Sequence, residues 1–149
     1  MNFDLKTLDL RTGAAEKCDQ LVVLVGEDFA PGSDPLARLI AQALKSKDFE
    51  TKPGKSLALY QAPGIAARRL LLVGAGSGDA RAVRQALAAI APAFRTAGAK
   101  RAVVCFAGRV TAPAVSAVVP GVAQVRYVYT LAKPKAEASE LTRVVIGVP

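Results

Sequence analysis

Histidine is absent from the 149 residues. That excludes Ser-His-Asp and Cys-His nucleophile systems and every histidine-ligated zinc site. Any chemistry would have to run on carboxylates, lysine or backbone groups. Cysteine is scarce: Cys18 and Cys105 make no disulfide framework and no metal-ligand spacing of the CxxC kind. Cys105 sits in the apolar run "RAVVCFAG" and reads as a small core residue. Cys18 has no obvious base beside it in sequence. Aromatic residues make up 5%, which offers little for stacking on single strands. No apolar run approaches the roughly 20 residues of a membrane span, and the opening "MNFDLKTLDL" lacks the basic-then-apolar order of a signal peptide. The expectation is a cytoplasmic protein with no membrane partner.

Acidic residues are missing from one long region. Residues 51–136 hold thirteen bases against Asp79 alone, whereas residues 1–50 hold nine acids and six bases. A block of that sign could steer the protein toward an anionic partner.

What is present is a core. Apolar residues reach 52%, enough for one folded domain over 1–149. Residues 1–10 alternate and read as an edge strand that could run antiparallel. "LVVLV" at 21–25 reads as a buried strand. "SDPLARLIAQALKSK" is the clearest helix, capped by Ser33 or Asp34, with Pro35 in its first turn and Leu36, Leu39, Ile40, Ala43 and Leu44 on one face. Lys45 and Lys47 follow at its cation-favouring end. Ser56 to Gln61 is a strand between turns. "RRLLLVGAG" is the most hydrophobic strand and is expected at the sheet centre. A helix follows Asp79 through "ARAVRQALAAIAPAFRTAG", with a kink at Pro92 and a stop at Gly98. "KRAVVCFAG" is a strand, Thr111 and Pro113 open a third helix, residues 133–140 form a polar loop, and "LTRVVIGV" is the last strand. Alternating strands and helices predict an α/β class with mostly parallel pairing. The chain stops where a buried strand ends, as a domain of something longer would.

Two candidate sites stand out. Residues 74–79 read G-A-G-S-G-D between a strand and a helix, but Asp79 takes the place of the third glycine of G-x-G-x-x-G, and no Gly-Lys-Ser/Thr follows. A carboxylate there would repel phosphate from the helix start, so the run is expected to turn a corner and bind no nucleotide. The other candidate is a basic ridge. Arg81, Arg84 and Arg95 share a helical face, Lys100 and Arg101 follow at the helix exit, and Arg109 lies in the next loop. Such a ridge would be a solvated face, a surface for an acidic neighbour, or a salt-sensitive, sequence-independent DNA contact.

Residues 39–76, with "ALKSKDF", "KPGKSLALY" and "PGIAARRLLLVGAG", resemble the N-terminal domain of the leucyl aminopeptidase, or cytosol aminopeptidase, family. The tail "VRYVYTLAKPKAEASELTRVVIGV" is similar to that domain's Tyr-containing segment, polar loop and final strand, so the resemblance covers nearly the whole chain. It implies a macro-domain-like α/β fold with a mixed, mostly parallel sheet flanked by helices, and a role in assembling a homo-hexamer. It implies that peptides, often with N-terminal leucine, are cleaved by a separate C-terminal domain carrying two divalent metal ions, manganese or zinc, held by Asp, Glu and Lys. Some bacterial members also bind DNA. The family's "NTDAEGR"-like run and lysine-containing metal motifs do not occur here, so no residue of this chain inherits a catalytic, cofactor-binding or metal role.

Overall fold

The computed structural model describes residues 2–30, 32–90, 100–108, 110–120, 122 and 143–148. In chain order the elements are β1 (Asn2–Thr7), α1 (Leu10–Ala15), β2 (Gln20–Gly26), α2 (Pro35–Lys45), β3 (Ser56–Tyr60), β4 (Arg69–Gly76), α3 (Ala80–Ala89) and β5 (Arg101–Ala107). They continue with a helix over 112–120, here α4, and end with β6 (Arg143–Val148). One sheet carries the strand order β1-β6-β5-β2-β4-β3. Every neighbour pair is parallel except β3 with β4. The sheet is mixed and mostly parallel, as the family resemblance implies; the alternation of elements predicts its parallel part, and its antiparallel edge is β3 rather than β1.

Helices cover both faces of the sheet. Leu36, Ile40 and Ala43 of α2, with Ala14 of α1, pack on Leu21, Val23, Leu70, Leu72 and Val103. On the other face Val83, Ala86 and Leu87 of α3, with Ala114, Ala117 and Val118 of α4, pack on Val22, Leu24, Leu71, Val73 and Val104. Burial on two faces explains why β2 and β4 read as unbroken apolar runs rather than alternating ones. Each large side chain so buried contributes about 2 kcal/mol.

Local chemistry sets the helix starts. Asp34, not Ser33, caps α2 through Ala37 N–H at 3.0 Å, with Pro35 at the first position. Asp79 caps α3 through Ala82 N–H at 2.7 Å. Thr111 Oγ1 accepts from Ala114 N–H at 3.2 Å at the start of α4. α2 ends at Lys45, so Lys47 lies beyond it, in a left-handed turn with φ 64.

Three expectations need correcting. β1 is an edge strand but runs parallel to β6, since α1 carries the chain across before β2 begins. α1 itself was not foreseen: six residues held by a capping box between Asp9 and Thr12 leave almost no periodic signal. β4 is interior rather than central, because β3 folds back beside it and β5 and β2 take the middle of the sheet. The stretch with Pro92 and Gly98 and the polar loop at 133–140 lie outside the described residues.

Candidate functional site

The glycine run closes β4 and leads into α3. Its N–H groups are already engaged: Gly74 donates to Lys55 carbonyl, Gly76 to Thr51 carbonyl and Gly78 to Ala75 carbonyl, each at 2.8 Å. The Gly76 carbonyl accepts from Glu27 N–H, which ties the turn to the end of β2. Gly74 is glycine because the 51–55 segment crosses it; a Cβ there would overlap the Lys52 carbonyl oxygen. Gly78 takes φ +77, the left-handed turn conformation open to glycine. The Ala82 N–H, and then the Ser77 hydroxyl, hold the Asp79 carboxyl below its ordinary 3.8, so it is anionic at neutral pH. The run is a corner pinned by main-chain bonds, with a negative charge where a phosphate cradle would want none.

A cleft of about 380 Å³ opens at the carboxyl ends of β2 and β5, lined by Asp9, Leu10, Asp28, Phe29, Ala30, Phe106, Ala107 and Gly108. A second hollow of about 480 Å³ also reaches Asp9 and Leu10 and runs past Arg11 to Gly32, Ser33 and Asp34. This is where open α/β sheets place their ligands, outside the carboxyl ends of the strands. Here the rim is carboxylate-rich. Asp28 Oδ1 lies 2.6 Å from where a Cβ would stand on Gly108, so the side chain fills the notch over β5. Asp9 is committed to Thr12, whose N–H and hydroxyl lower its pKa. Among the described residues no group of three or more His, Cys, Asp or Glu is placed to hold a metal ion.

The four basic candidates among the described residues do not form one ridge. Arg81 and Arg84 are exposed on the outer side of α3, opposite Val83 and Leu87. Lys100 is exposed at the mouth of β5, where its N–H donates to Asp19. Arg101 shares its strand face with Val103 and Cys105, on the α1 side of the sheet, across from α3. Its guanidinium donates to the Lys17 carbonyl at 2.6 Å and to Glu16 at 2.7 Å, so it secures the end of α1. Arg95 and Arg109 lie outside the described residues. The Glu16–Arg101 contact spans 85 positions of chain and has no local signal.

Both thiols are suppressed. Burial pushes Cys105 up to about 12 and Cys18 up to about 11, against 9.0 for an ordinary thiol. Neither has the thiolate population a nucleophile needs.

The family profile described as the cytosol aminopeptidase family, N-terminal domain, matches residues 22–136. The chain belongs to this family. It is 55% identical over 149 residues to a probable cytosol aminopeptidase of Verminephrobacter eiseniae, covering 100% of this chain and 29% of that protein. A probable cytosol aminopeptidase of an Acidovorax strain is 52% identical, with 30% of its length covered. The chain thus spans under a third of the curated relatives it matches. Among solved structures, a tomato leucine aminopeptidase mutant superposes with TM-score 0.73 at 22% identity, over 100% of this chain and 33% of that one. The likeness speaks for the fold. No helix among the described residues is long and apolar enough to cross a membrane.

Proposed function

We propose that residues 1–149 are the single, non-catalytic N-terminal domain of a metal-dependent aminopeptidase that removes N-terminal residues, leucine preferred, from peptides in the cytosol. Two divalent metal ions, manganese or zinc, would sit in a catalytic domain outside this chain, and the domain described here would help assemble a homo-hexamer. The observation that carries the reading is that the N-terminal family profile and whole-chain identities above 50% fall on a chain spanning under a third of its relatives. The test compares the 149-residue chain with the full-length enzyme on a leucyl chromogenic amide, with manganese or zinc. Turnover is expected from the full-length enzyme alone. Activity of the short chain that persists through further purification would overturn the reading.

A weaker second reading keeps an anion or duplex DNA as partner, because Arg81 and Arg84 stand side by side on the open face of α3. Binding through phosphates would fall steeply with salt. Duplex DNA titrated at two salt concentrations against wild type and Arg81→Glu/Arg84→Glu decides it: equal binding by both proteins removes these arginines from the account.

A further inference from the structure

Among the described residues β3 is the last strand at one end of the sheet, and it is uncharged from Ser56 to Tyr60. Edge strands ordinarily carry lysine, proline, a bulge or an inward charge that blocks pairing with another chain. From Ser56 to Tyr60 β3 has none of these, Lys55 standing just before its start, and Tyr60 is 69% exposed. Beside it an apolar-floored groove of about 410 Å³ runs between β3 and α2, with Leu39, Leu57 and Leu59 in its lining.

The hydrogen-bond parity of β3 is fixed. Gln61 N–H donates to Arg68 carbonyl and Lys55 carbonyl accepts from Gly74 N–H. In an antiparallel ladder the alternate residues bond to the same neighbour, so Leu57 and Leu59 also face β4. Ser56, Ala58 and Tyr60 direct their N–H and C=O groups outward. Ala58 is the middle residue of the strand. A two-fold antiparallel pairing of identical strands sets one residue on the axis, and only with Ala58 there do all five residues of the strand find a partner within it.

We propose that β3 pairs with β3 of a second copy of this chain about a two-fold axis through Ala58, making one sheet continuous across two protomers. Ala58 then exchanges both main-chain bonds with Ala58 of the other copy, and Ser56 does so with Tyr60. Leu57 falls opposite Leu59 in the closer, non-hydrogen-bonded pairs, on the groove side, so each copy covers the other's apolar floor. Charge agrees with this register. Lys55 falls opposite Gln61, and no like charges meet within the strand, although the chain as a whole carries +8. A two-fold interface needs one self-complementary patch, and this strand supplies it.

The proposal does not rest on the peptidase reading, and failure of either leaves the other standing. The test is sedimentation equilibrium of the 149-residue chain over a range of concentrations. Wild type is expected to show a monomer–dimer equilibrium. Ala58→Lys and Ala58→Glu each place like charges opposite one another at the axis and are expected to weaken dimerisation about tenfold. Their equimolar mixture is expected to restore it as a heterodimer, which a folding defect in either variant would not do. Leu5→Lys, on the other edge of the sheet, is the control and should leave association unchanged. The proposal is overturned by a monomeric wild type, which leaves the edge to an extended segment of a different chain. It is equally overturned if both Ala58 variants dimerise like wild type, if the mixture stays monomeric, or if Leu5→Lys alone abolishes association.

Discussion

The two edges of the sheet meet the same hazard in different ways. β1 is parallel to its neighbour and interleaves charge with apolar residues: Asp4 pairs with Arg143 at 2.6 Å, and Lys6 with Glu16 at 2.9 Å. β3 is antiparallel, lacks any ionisable group except the Tyr60 phenol, and borders an apolar groove. Exposed ion pairs of this kind contribute about 0–1 kcal/mol each. Their value on β1 therefore lies less in stability than in making the edge a poor template for another strand. The contrast teaches that charge on an edge strand reports whether the edge is meant to stay open.

The largest test of this contrast removes the support of one edge. Gly74→Ala sets a side chain against the Lys52 main chain, which leads into β3. A loss of about 3 kcal/mol is expected from overpacking against backbone, read as a drop in the urea midpoint; an unchanged midpoint would mean the 51–55 segment is not anchored on β4. Next is Asp34→Ala, which uncaps the helix bordering the groove beside β3 and should cost about 1 kcal/mol in the same measurement.

A pH test separates the edges further. Glu16 is held below its ordinary 4.5 first by the Lys6 ammonium and then by the Arg101 guanidinium. A carboxyl whose folded pKa is depressed contributes stability above its unfolded pKa and loses it as pH falls through the folded one. Glu16→Gln should therefore lessen the drop in thermal midpoint between neutral pH and pH values below about 4.5, while Ala58→Lys, at the far edge, should leave that drop unchanged. Equal acid sensitivity of Glu16→Gln and wild type would remove Glu16 from the account. The smallest effect on stability is expected for Asp4→Ala/Lys6→Ala, under about 1 kcal/mol. That variant should nonetheless raise self-association, measured by light scattering, since it leaves β1 as bare as β3.

Much of the fold is legible in the residues. The runs at 21–25 and 70–73 are buried on both faces and cannot be mistaken for amphipathic strands, and Asp34-Pro35 and Asp79 announce the helices they cap. The direction of β1 is not legible, because alternation fixes which side chains point inward but not which neighbour the strand chooses. Nor is α1, whose stability lies in the Asp9–Thr12 box and contacts with α2 and β5 rather than in a repeating pattern. At the candidate site, Asp79 is legible as the cap that starts α3. The basic residues mislead because sequence spacing places Arg101 beside the arginines of α3, while Glu16 and the Lys17 carbonyl hold it on the opposite face of the sheet.

The burial of the two thiols has a practical side. With pKa values of about 11 and about 12, Cys18 and Cys105 hold about one thiolate in ten thousand molecules or fewer at neutral pH, against about one in a hundred for a thiol at the ordinary 9.0. A maleimide dye added briefly near pH 7 would therefore choose a cysteine engineered at Tyr60 or Leu5 over either native thiol. The wild-type background already serves as a cysteine-light scaffold, on which single fluorophores at the two sheet edges can report by energy transfer how copies of the chain approach one another.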